Sequence, residues 1–266
     1  MTYSETMHTL EGKTVLITGA SSGIGAALAR EFARRKANLV LLARNHERLT
    51  AVRDECTRLG AGSVQLVEAD TTDYVAIDAF AASLESRLDY LVLNAGISQR
   101  SLAVETTDAV NRRVMEVDFF APVHLTKALH GAGKWDRNTH IGVTSSISGL
   151  FGFPQRSAYC AAKHAVKGYY EALQLEMGMK VTLLFPGRIN TPISLSALEA
   201  DGRPHGQMDP GQAGGMDADK CARKCVDGIV RGKRQVRVGG KEMISCFVYK
   251  WLPGIFFRFA GKISAV

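Results

Sequence analysis

The stretch 13–25 reads KTVLITGASSGIG, in which a short apolar run leads directly into a loop with glycines at positions 19, 23 and 25. The run is rich in β-branched residues and predicts a buried strand, and apolar residues at helical spacing in 24–36 predict a helix after it. Glycines let such a loop turn tightly and approach a phosphate, which the helix N-terminus then binds. The stretch therefore predicts a nucleotide-binding turn, with a plain strand-to-helix turn as the alternative.

Strands and helices alternate along the rest of the chain. Such alternation predicts a parallel sheet covered on both faces, and uninterrupted apolar strands agree with it, because half-exposed strands would alternate in polarity. We therefore predict an α/β protein with a single Rossmann-type, doubly wound parallel sheet of about seven strands and helices on both faces. The predicted strands are 13–18, 38–43, 63–70, 88–96, 139–144, 180–185 and 235–239. The predicted helices are 24–36, 46–60, 74–87, 108–130, 156–178 and 217–231.

No break in composition divides the 266 residues, so one domain is predicted. Residues 1–9 are predicted to be a flexible tail and residues 10–240 the dinucleotide-binding catalytic domain. Residues 241–266 are predicted to be an aromatic and basic extension packed on that domain. Within the domain, residues 187–216 are rich in glycine, proline and polar side chains, and a long connection of this kind is typical of a lid.

The composition argues against several classes of protein and site. No uncharged apolar run of 18 residues is present, and the N-terminal residues lack the pattern of a secretory leader. The five cysteines are scattered and odd in number, which predicts free thiols in a reducing compartment such as the cytoplasm. Cys221 and Cys225 lie one helical turn apart, but no further ligand stands at a suitable spacing, so no metal site is predicted.

Positive charge is concentrated near the C-terminus. Residues 220–266 contain eleven lysine and arginine residues and two acidic ones, a balance of +9, whereas the whole chain carries +7. The preceding residues therefore sum to −2, and no nucleic-acid partner is predicted. The basic segment is either a solvated surface or one attracted to an anionic membrane or an acidic partner.

Three reactive side chains occur within SISGLFGFPQRSAYCAAK (146–163). Tyr159 and Lys163 are four residues apart in a predicted helix, so they share a face near its N-terminal end. A free phenol has a pKa of about 10, and the neighbouring ammonium and the helix dipole both favour the phenolate. Ser146 follows the predicted strand 139–144, at the sheet edge where α/β proteins bind ligands. The arrangement predicts that Tyr159 is a general acid or base and that Ser146 holds a substrate oxygen.

These motifs, in this order, resemble those of the classical short-chain dehydrogenase/reductase family over about residues 10–240. The resemblance rests on Asp70 after the third strand and on the segments TGASSGIG (18–25), NAG (94–96), SS (145–146), YCAAK (159–163) and PGRINT (186–191). The segment YKWLPGIFFRF (249–259) resembles the branch that contains dehydrogenase/reductase member 7. Membership implies an oxidoreductase that acts on CH–OH groups of a small molecule with NAD(P) and that forms homodimers or homotetramers.

The resemblance also implies where the cofactor binds. Asp70 would accept a hydrogen bond from the adenine amino group, although it would equally suit the N-terminal cap of the next helix. Relatives that prefer NAD have an acidic residue after the second strand, whereas this chain has Arg44, whose guanidinium can pair with a 2′-phosphate. NADP is therefore predicted over NAD. The implied cofactor-binding residues are Gly19, Ser21, Ser22, Gly23, Ile24, Gly25, Arg44, Asn45, Asp70, Thr71, Asn94, Ala95, Gly96, Tyr159, Lys163, Pro186, Gly187, Ile189 and Thr191.

Four catalytic residues are implied in the same way. The family's thirteen-residue separation from the tyrosine selects Ser146 over Ser145. Ser146 and Tyr159 would hold the carbonyl oxygen, Tyr159 would supply the proton, and Lys163 would tune Tyr159 and bind the nicotinamide ribose. Asp118 stands where the family usually has an asparagine that helps to hold a water between the lysine and solvent. Aspartate can still accept hydrogen bonds, so Asp118 is expected to serve that relay with an extra charge that alters the pH profile, or else to be a tolerated substitution without a role.

The substrate is expected to be a lipid-like or steroid-like ketone, aldehyde or alcohol. Leu150, Phe151 and Phe153 are expected to form apolar pocket walls together with the loop 187–216. The segment 244–262 combines aromatic residues with the cations Lys250, Arg258 and Lys262. It is expected to cover the substrate mouth or lie on a membrane surface, or else to pack on the core or at a subunit interface.

Two other functions are kept as alternatives. A 3-oxoacyl-carrier-protein reductase would meet an acidic carrier through basic residues such as Arg112, Arg113 and Lys127. A non-catalytic NADP-binding sensor would keep the glycine loop but lose the proton-transfer residues, and the presence of all three of those residues argues against it.

Overall fold

Seven strands form one all-parallel sheet in the computed structural model, which describes residues 8–260. They are β1 (Thr14–Thr18), β2 (Asn38–Ala43), β3 (Ser63–Glu68), β4 (Tyr90–Leu93), β5 (His140–Thr144), β6 (Lys180–Pro186) and β7 (Gln235–Val238). Their order across the sheet is β3-β2-β1-β4-β5-β6-β7. The order changes direction between β1 and β4, and the carboxyl ends of these two strands therefore border the crevice where such sheets bind ligands. The predicted Rossmann-type sheet is confirmed.

Helices cover both faces of the sheet. They are α1 (Gly23–Arg34), α2 (His46–Arg58), α3 (Tyr74–Ser83), α4 (Asp108–Met115), α5 (Ala121–Gly131), α6 (Ser157–Met177), α7 (Pro210–Ala213), α8 (Ala218–Val230), α9 (Met243–Trp251) and α10 (Pro253–Ala260). Helices α1, α2 and α8 pack in one buried cluster, and α3, α5 and α6 pack in a second. Both faces of the central strands are therefore dry, which explains why their sequences are apolar throughout.

The two edge strands differ from the predicted pattern. The residues of β3 are exposed or half-buried, and in β7 exposed residues alternate with buried ones. Edge strands have a neighbour on one side only, so part of each remains in contact with water. The expectation of uninterrupted apolar strands therefore holds for the centre of the sheet and is wrong at its edges.

The predicted helix 108–130 is divided by a π-helical turn at Glu116–Phe120, which lies between α4 and α5. A π turn carries one extra residue per turn and frequently marks a functional site. The turn contains Asp118, whose side chain is buried. Sequence periodicity did not predict the π turn, because apolar residues continue across it.

The C-terminal helices α9 and α10 pack on the sheet domain through a small apolar cluster. Cys246 and Phe256 contact Ile147 and Phe151, which follow the carboxyl end of β5. The segment divides at Leu252 because Pro253 cannot continue a helix but suits the first position of the next one. Residues 1–7 of the predicted tail and residues 261–266 of the predicted extension lie outside the described residues. Among residues 8–260, no helix is long and apolar enough to cross a bilayer.

Candidate active site

A cavity of about 990 Å³ opens at the carboxyl ends of the strands. It runs from the glycine loop between β1 and α1, past the ends of β4 and β5, to the loop 187–216. All the predicted cofactor-binding and catalytic residues line it except Gly25. The sequence motifs, which are far apart along the chain, thus meet at one site.

The glycines of this site lie where a side chain would clash. A Cβ at Gly25 would lie 2.1 Å from the Gly19 carbonyl oxygen, and a Cβ at Gly19 would lie 2.8 Å from the Ala95 Cα. Gly19 and Gly23 also have positive φ angles of 65° and 53°, which favour glycine. The loop is therefore a bare backbone cradle at a helix N-terminus and fits a dinucleotide phosphate. Gly25 does not line the cavity, and its lack of a side chain lets the first turn of α1 lie against the Gly19 carbonyl and the Asn94 side chain.

The NAG segment is fixed by a residue that the sequence analysis did not single out. The Thr18 hydroxyl oxygen accepts hydrogen bonds from the N–H groups of Asn94 and Ala95, at 2.9 and 3.0 Å. The Asn94 side chain donates to the Thr18 carbonyl oxygen at 3.2 Å. The end of β1 therefore sets the position of the loop after β4 across the crevice. A threonine that ends a strand just before the glycine loop is the only sequence signal for this role.

Three arginines surround the end of the cavity near β2 and β3. Arg44 Nη1 lies 3.6 Å from Asp70 Oδ2, and Arg113 Nη2 lies 3.7 Å from the same oxygen. Arg48 lines the cavity in the first turn of α2, four residues after Arg44, and Asn45 caps this helix by accepting the Arg48 N–H. This end of the cavity therefore carries an excess of positive charge. Arg48 could have been found from its spacing to Arg44, but nothing in the sequence links Arg113 to Asp70.

The Asp70 side chain does not cap the following helix. Asp73 is the N-terminal cap of α3, since its carboxylate accepts the Ala76 N–H at 3.1 Å. Asp70 Oδ1 accepts hydrogen bonds from the Thr72 N–H and hydroxyl, at 2.9 and 2.8 Å. Burial opposes ionisation of Asp70, but these hydrogen bonds and the two arginines outweigh it, and its pKa lies below the usual value. Asp70 is thus an ionised acceptor on the cavity wall.

The proton-transfer residues meet at the centre of the cavity. Tyr159 and Lys163 lie on the same face of α6, with the Lys163 Nζ 5.6 Å from the centre of the tyrosine ring. Ser146, two residues after the end of β5, lines the cavity beside Tyr159 and lowers the pKa of its phenol. Lys163 is buried and donates to the Thr144 carbonyl oxygen at 3.1 Å. A substrate oxygen in this cavity can therefore reach a phenol and a hydroxyl together.

The two serines of the SS motif differ in their partners. The Ser145 hydroxyl donates to the Lys163 carbonyl oxygen at 3.0 Å and so ties β5 to α6. The Ser146 hydroxyl accepts the Ser148 N–H at 3.1 Å and lines the cavity beside Tyr159. This geometry favours Ser146 as the residue that contacts a substrate.

The net effect on the Tyr159 phenol differs from the sequence-based expectation. Burial raises the pKa of Tyr159, and the Asp118 carboxylate raises it further. Lys163 acts in the predicted direction, as do Ser146 and Arg156, but together they do not reverse the rise. The expectation of a phenol made more acidic by its lysine is therefore wrong for the net direction, because burial and Asp118 were not visible in the spacing.

Asp118 contacts the lysine directly. Its Oδ2 lies 3.0 Å from Lys163 Nζ, and its Oδ1 accepts the Ile97 N–H at 2.7 Å. The glycine of the NAG segment makes room for this pair, since a Cβ at Gly96 would lie 3.1 Å from Asp118 Oδ2 and 3.2 Å from Lys163 Nζ. Burial lowers the pKa of Lys163, but Asp118 and Tyr159 more than offset this and the pKa is raised. Asp118 therefore acts through Lys163.

The expected apolar walls of the substrate side are only partly present. Phe153 lines the cavity, but Phe151 is buried against Phe256 and Tyr249, and Leu150 borders a separate groove. The reason is that the C-terminal helices cover the FGFP segment from behind. The prediction that Leu150 and Phe151 form pocket walls is therefore wrong.

The loop 187–216 does border the cavity, and buried charges hold it in place. Asp209 forms an ion pair with Arg100, and its Oδ2 lies 2.8 Å from Arg156 Nη2. Arg156 also donates to the Ser98 hydroxyl at 2.9 Å and to the Gln99 carbonyl oxygen at 2.7 Å. The loop is thus joined to the start of α6, three residues before Tyr159. Sequence reasoning missed this cluster, because its members are distant in the chain and follow no motif.

Comparisons with known proteins agree with this geometry. The family model described as short chain dehydrogenase matches residues 13–201. The chain belongs to the short-chain dehydrogenase family. A relative, dehydrogenase/reductase SDR family member 7B of Bos taurus, is 39% identical over 257 residues, which cover 92% of this chain and 79% of the relative. The family and branch that the motifs resemble are therefore confirmed, and this short-chain dehydrogenase is an NAD(P)-dependent oxidoreductase acting on CH–OH groups.

Two solved structures share the fold. A short-chain dehydrogenase/reductase from Burkholderia phymatum, in complex with NAD, has a TM-score of 0.79 at 23% identity and covers 94% of this chain and 96% of its own. A short-chain dehydrogenase from Sphingobium yanoikuyae, in complex with NADPH, has a TM-score of 0.72 at 26% identity and covers 96% of this chain and 97% of its own. The two neighbours hold different cofactors, so the choice between them depends on this chain's own residues.

Proposed function

We propose that this short-chain dehydrogenase interconverts a ketone or aldehyde and the corresponding alcohol, with NADP preferred over NAD. The observation that supports it best is that Tyr159, Ser146 and Lys163 face the same cavity as the glycine loop. Bound NADPH would supply the hydride for a carbonyl carbon. The cradle at Gly19 and Gly23 would hold the dinucleotide phosphate, and the NAG segment would lie along the adenosine ribose.

Substrate binding, proton transfer and ribose binding would fall to three side chains. Ser146 and Tyr159 would donate hydrogen bonds to the carbonyl oxygen, and Tyr159 would transfer its proton to that oxygen as negative charge develops there. Lys163 Nζ has three N–H groups. It donates one to the Thr144 carbonyl oxygen at 3.1 Å and lies 3.0 Å from Asp118 Oδ2 as an ion pair. A remaining N–H would bind the nicotinamide ribose. In alcohol oxidation the same groups would act in reverse, with Tyr159 as the base.

A screen of ketones and aldehydes with NADPH and with NADH tests this function. We expect carbonyl-dependent oxidation of NADPH, with lipid-like and steroid-like ketones as the preferred class. Tight NADPH binding without turnover of any carbonyl compound would contradict the proposal and favour a non-catalytic sensor. Comparison of a carrier-linked ketone with the free thioester addresses the carrier-protein alternative. That alternative is weakened because Arg113 contacts Asp70 and Thr72 at the cavity, which leaves Arg112 and Lys127 for a carrier.

Arg44 is the residue on which the NADP preference depends. Its side chain is 67% exposed beside the cavity, and its Nη1 lies 3.6 Å from Asp70 Oδ2, which is a long distance for an ion pair. We expect Arg44→Glu to raise the KM for NADPH by about 10–100-fold, because a charge-assisted hydrogen bond is worth roughly 1.5–3 kcal/mol. The KM for NADH should fall, since a carboxylate can accept hydrogen bonds from the ribose hydroxyls. Steady-state kinetics with both cofactors measures the two effects.

Arg58→Glu is the matched control, because it makes the same change at the exposed far end of α2. It should leave both KM values unchanged. Equal losses for NADPH and NADH in Arg44→Glu would contradict a role in choosing between them.

We also infer that α9 and α10 contact an anionic lipid surface, which would deliver a lipid-like substrate. Their outward faces carry large exposed side chains, with Trp251 at 62% and Phe257 at 67%. The cations Lys250 and Arg258 lie among these side chains in the most basic part of the chain, and Lys250 Nζ lies 4.8 Å over the Trp251 ring. Aromatic groups beside cations are typical of interfacial helices. The exposed apolar residues are Ile244, Phe247, Trp251, Leu252, Ile255, Phe257 and Phe259.

Vesicle flotation tests the lipid contact. Trp251→Ser/Phe257→Ser should reduce flotation with anionic vesicles by at least about tenfold, and neutral vesicles should bind the unaltered protein weakly. Val75→Ser/Leu175→Ser removes two even more exposed apolar side chains from other helices and should have no effect. Unchanged flotation of the first variant, together with a smaller oligomer, would instead assign this face to a second copy of the chain. We propose a homodimer or homotetramer for the assembly, in a reducing compartment that suits the free cysteines.

A further inference from the structure

Asp118 forms a buried ion pair with Lys163 in the wall of the active-site cavity. Its side chain is 0% exposed and that of Lys163 is 4% exposed, with 3.0 Å between Oδ2 and Nζ. The other oxygen accepts the Ile97 N–H at 2.7 Å. Lys163 is the one charged partner of Asp118 among the described residues. The π-helical turn at Glu116–Phe120 presents the carboxylate to α6.

Each member of this contact favours the charged form of the other. Burial raises the pKa of Asp118, whereas the Lys163 ammonium and the Ile97 N–H lower it. Burial lowers the pKa of Lys163, whereas Asp118 raises it. A buried charge without a partner is strongly destabilising, and two opposite charges in contact relieve that cost. Loss of the proton from Lys163 would leave the carboxylate alone, and protonation of Asp118 would leave the ammonium alone. The Asp118–Lys163 pair therefore contributes no net charge to the wall of the cavity.

Burial is the largest cause of the raised pKa of Tyr159, and Asp118 raises that pKa further, against the opposing effect of Lys163. An ammonium without a counter-charge would stabilise a phenolate at Tyr159, whereas a phenolate beside the Asp118–Lys163 pair places two negative charges around one positive charge. Arg156 is the other cation that faces the phenol, and its guanidinium is paired with Asp209. Ser146 also lowers the pKa of the phenol, but it is uncharged. Each cation near Tyr159 thus already has a carboxylate partner.

We propose that Asp118 keeps Tyr159 protonated at neutral pH by neutralising Lys163, so that the site is set to donate a proton and to reduce carbonyl compounds. This rests on the proposed oxidoreductase function. In reduction, the carbonyl carbon accepts a hydride from NADPH, the C=O π electron pair moves to the oxygen, and that oxygen takes the Tyr159 proton. The products are the alcohol and NADP⁺, and a solvent proton restores the phenol.

The sign of the pH dependence follows from these roles. Reduction needs the phenol and is lost as pH rises through the pKa of Tyr159, whereas oxidation needs the phenolate and appears over the same range. Asp118→Asn keeps an oxygen for the Ile97 N–H but removes the charge. We expect the pH midpoint of alcohol oxidation to fall by about one unit, and the alkaline loss of reduction to move down with it. Profiles of kcat/KM against pH in both directions measure this.

Asp89→Asn is the matched control, because it neutralises a carboxylate at the opposite end of the sheet, where Asp89 pairs with Lys13. It should leave both profiles unchanged. Unshifted profiles in folded Asp118→Asn, or a shift to higher pH, would overturn the proposal.

Direct titration of Tyr159 keeps the test independent of turnover. The ultraviolet absorbance of tyrosinate is recorded against pH in the unaltered protein and in Tyr159→Phe, and the difference belongs to Tyr159. We expect this signal to appear only above pH ~10, the range of a free phenol, and at lower pH in Asp118→Asn. A Tyr159 tyrosinate signal at neutral pH in the unaltered protein would overturn the proposal, even if Asp118→Asn did not fold. If Tyr159 titrates as expected but the protein turns over no carbonyl compound, the proposed oxidoreductase reaction is rejected and the role of Asp118 in the protonation of Tyr159 is not.

Discussion

Tyr159→Phe is expected to lower kcat by about 10²–10⁴-fold, because it removes the proton donor and leaves the ring in place. The KM for NADPH should change little, since the cradle, Arg44 and the NAG segment do not depend on the phenol oxygen. Steady-state reduction of the best substrate from the carbonyl screen, together with a binding titration of NADPH, separates the two effects. The loss should be similar in oxidation, where the same oxygen accepts the proton.

Tyr169→Phe is the control for this change, because Tyr169 lies on the same helix and is half-buried. It should retain full activity. Turnover by Tyr159→Phe that matches the unaltered protein would remove the basis for the proposed mechanism.

Lys163→Met is expected to destabilise the protein by about 3–5 kcal/mol, because it leaves the buried Asp118 carboxylate without its partner. The melting temperature should fall by roughly 10 °C. The double variant Lys163→Met/Asp118→Asn should recover more than half of this loss, since no charge then remains buried at the site. Both variants should be inactive, because both lack Lys163. A recovery of stability without a recovery of activity would then show that the two effects are independent.

The same helix offers a control for the ion pair. Lys167 Nζ lies 2.9 Å from Glu171 Oε2, but both side chains are partly exposed. Lys167→Met should therefore cost less than about 1 kcal/mol. A loss in Lys163→Met no larger than that in Lys167→Met, or no recovery in the double variant, would show that burial of Asp118 does not have the expected cost.

The fold could be predicted because its signals are local. An apolar run that ends at a glycine loop fixes β1 and α1, and the same alternation continues to β7. The i, i+4 spacing of Tyr159 and Lys163 likewise fixes their shared face. These inferences depend only on neighbours in the sequence, and the structure places the elements within a few residues of the predicted bounds.

What could not be predicted depends on contacts between distant residues. Arg156 and Asp209 are 53 positions apart and follow no motif, so the cluster that anchors the loop 187–216 was invisible. The net direction of the Tyr159 pKa depends on burial and on Asp118, which lies on another helical segment. Phe151 packs behind the site because α10 covers it, and no pattern in the sequence around position 151 predicts this contact.

The packing of Phe256 on Phe151 has a consequence for how the enzyme is made. Synthesis proceeds from the N-terminus and domains begin to fold as they emerge, so the strands β1 to β6 are complete while α10 is still missing. The loop that carries Ser146 and Ile147 gains its apolar support only when Phe256 and Ala260 arrive. A nascent chain can therefore assemble its dinucleotide cradle early, whereas the substrate side matures only after α10 has been synthesised.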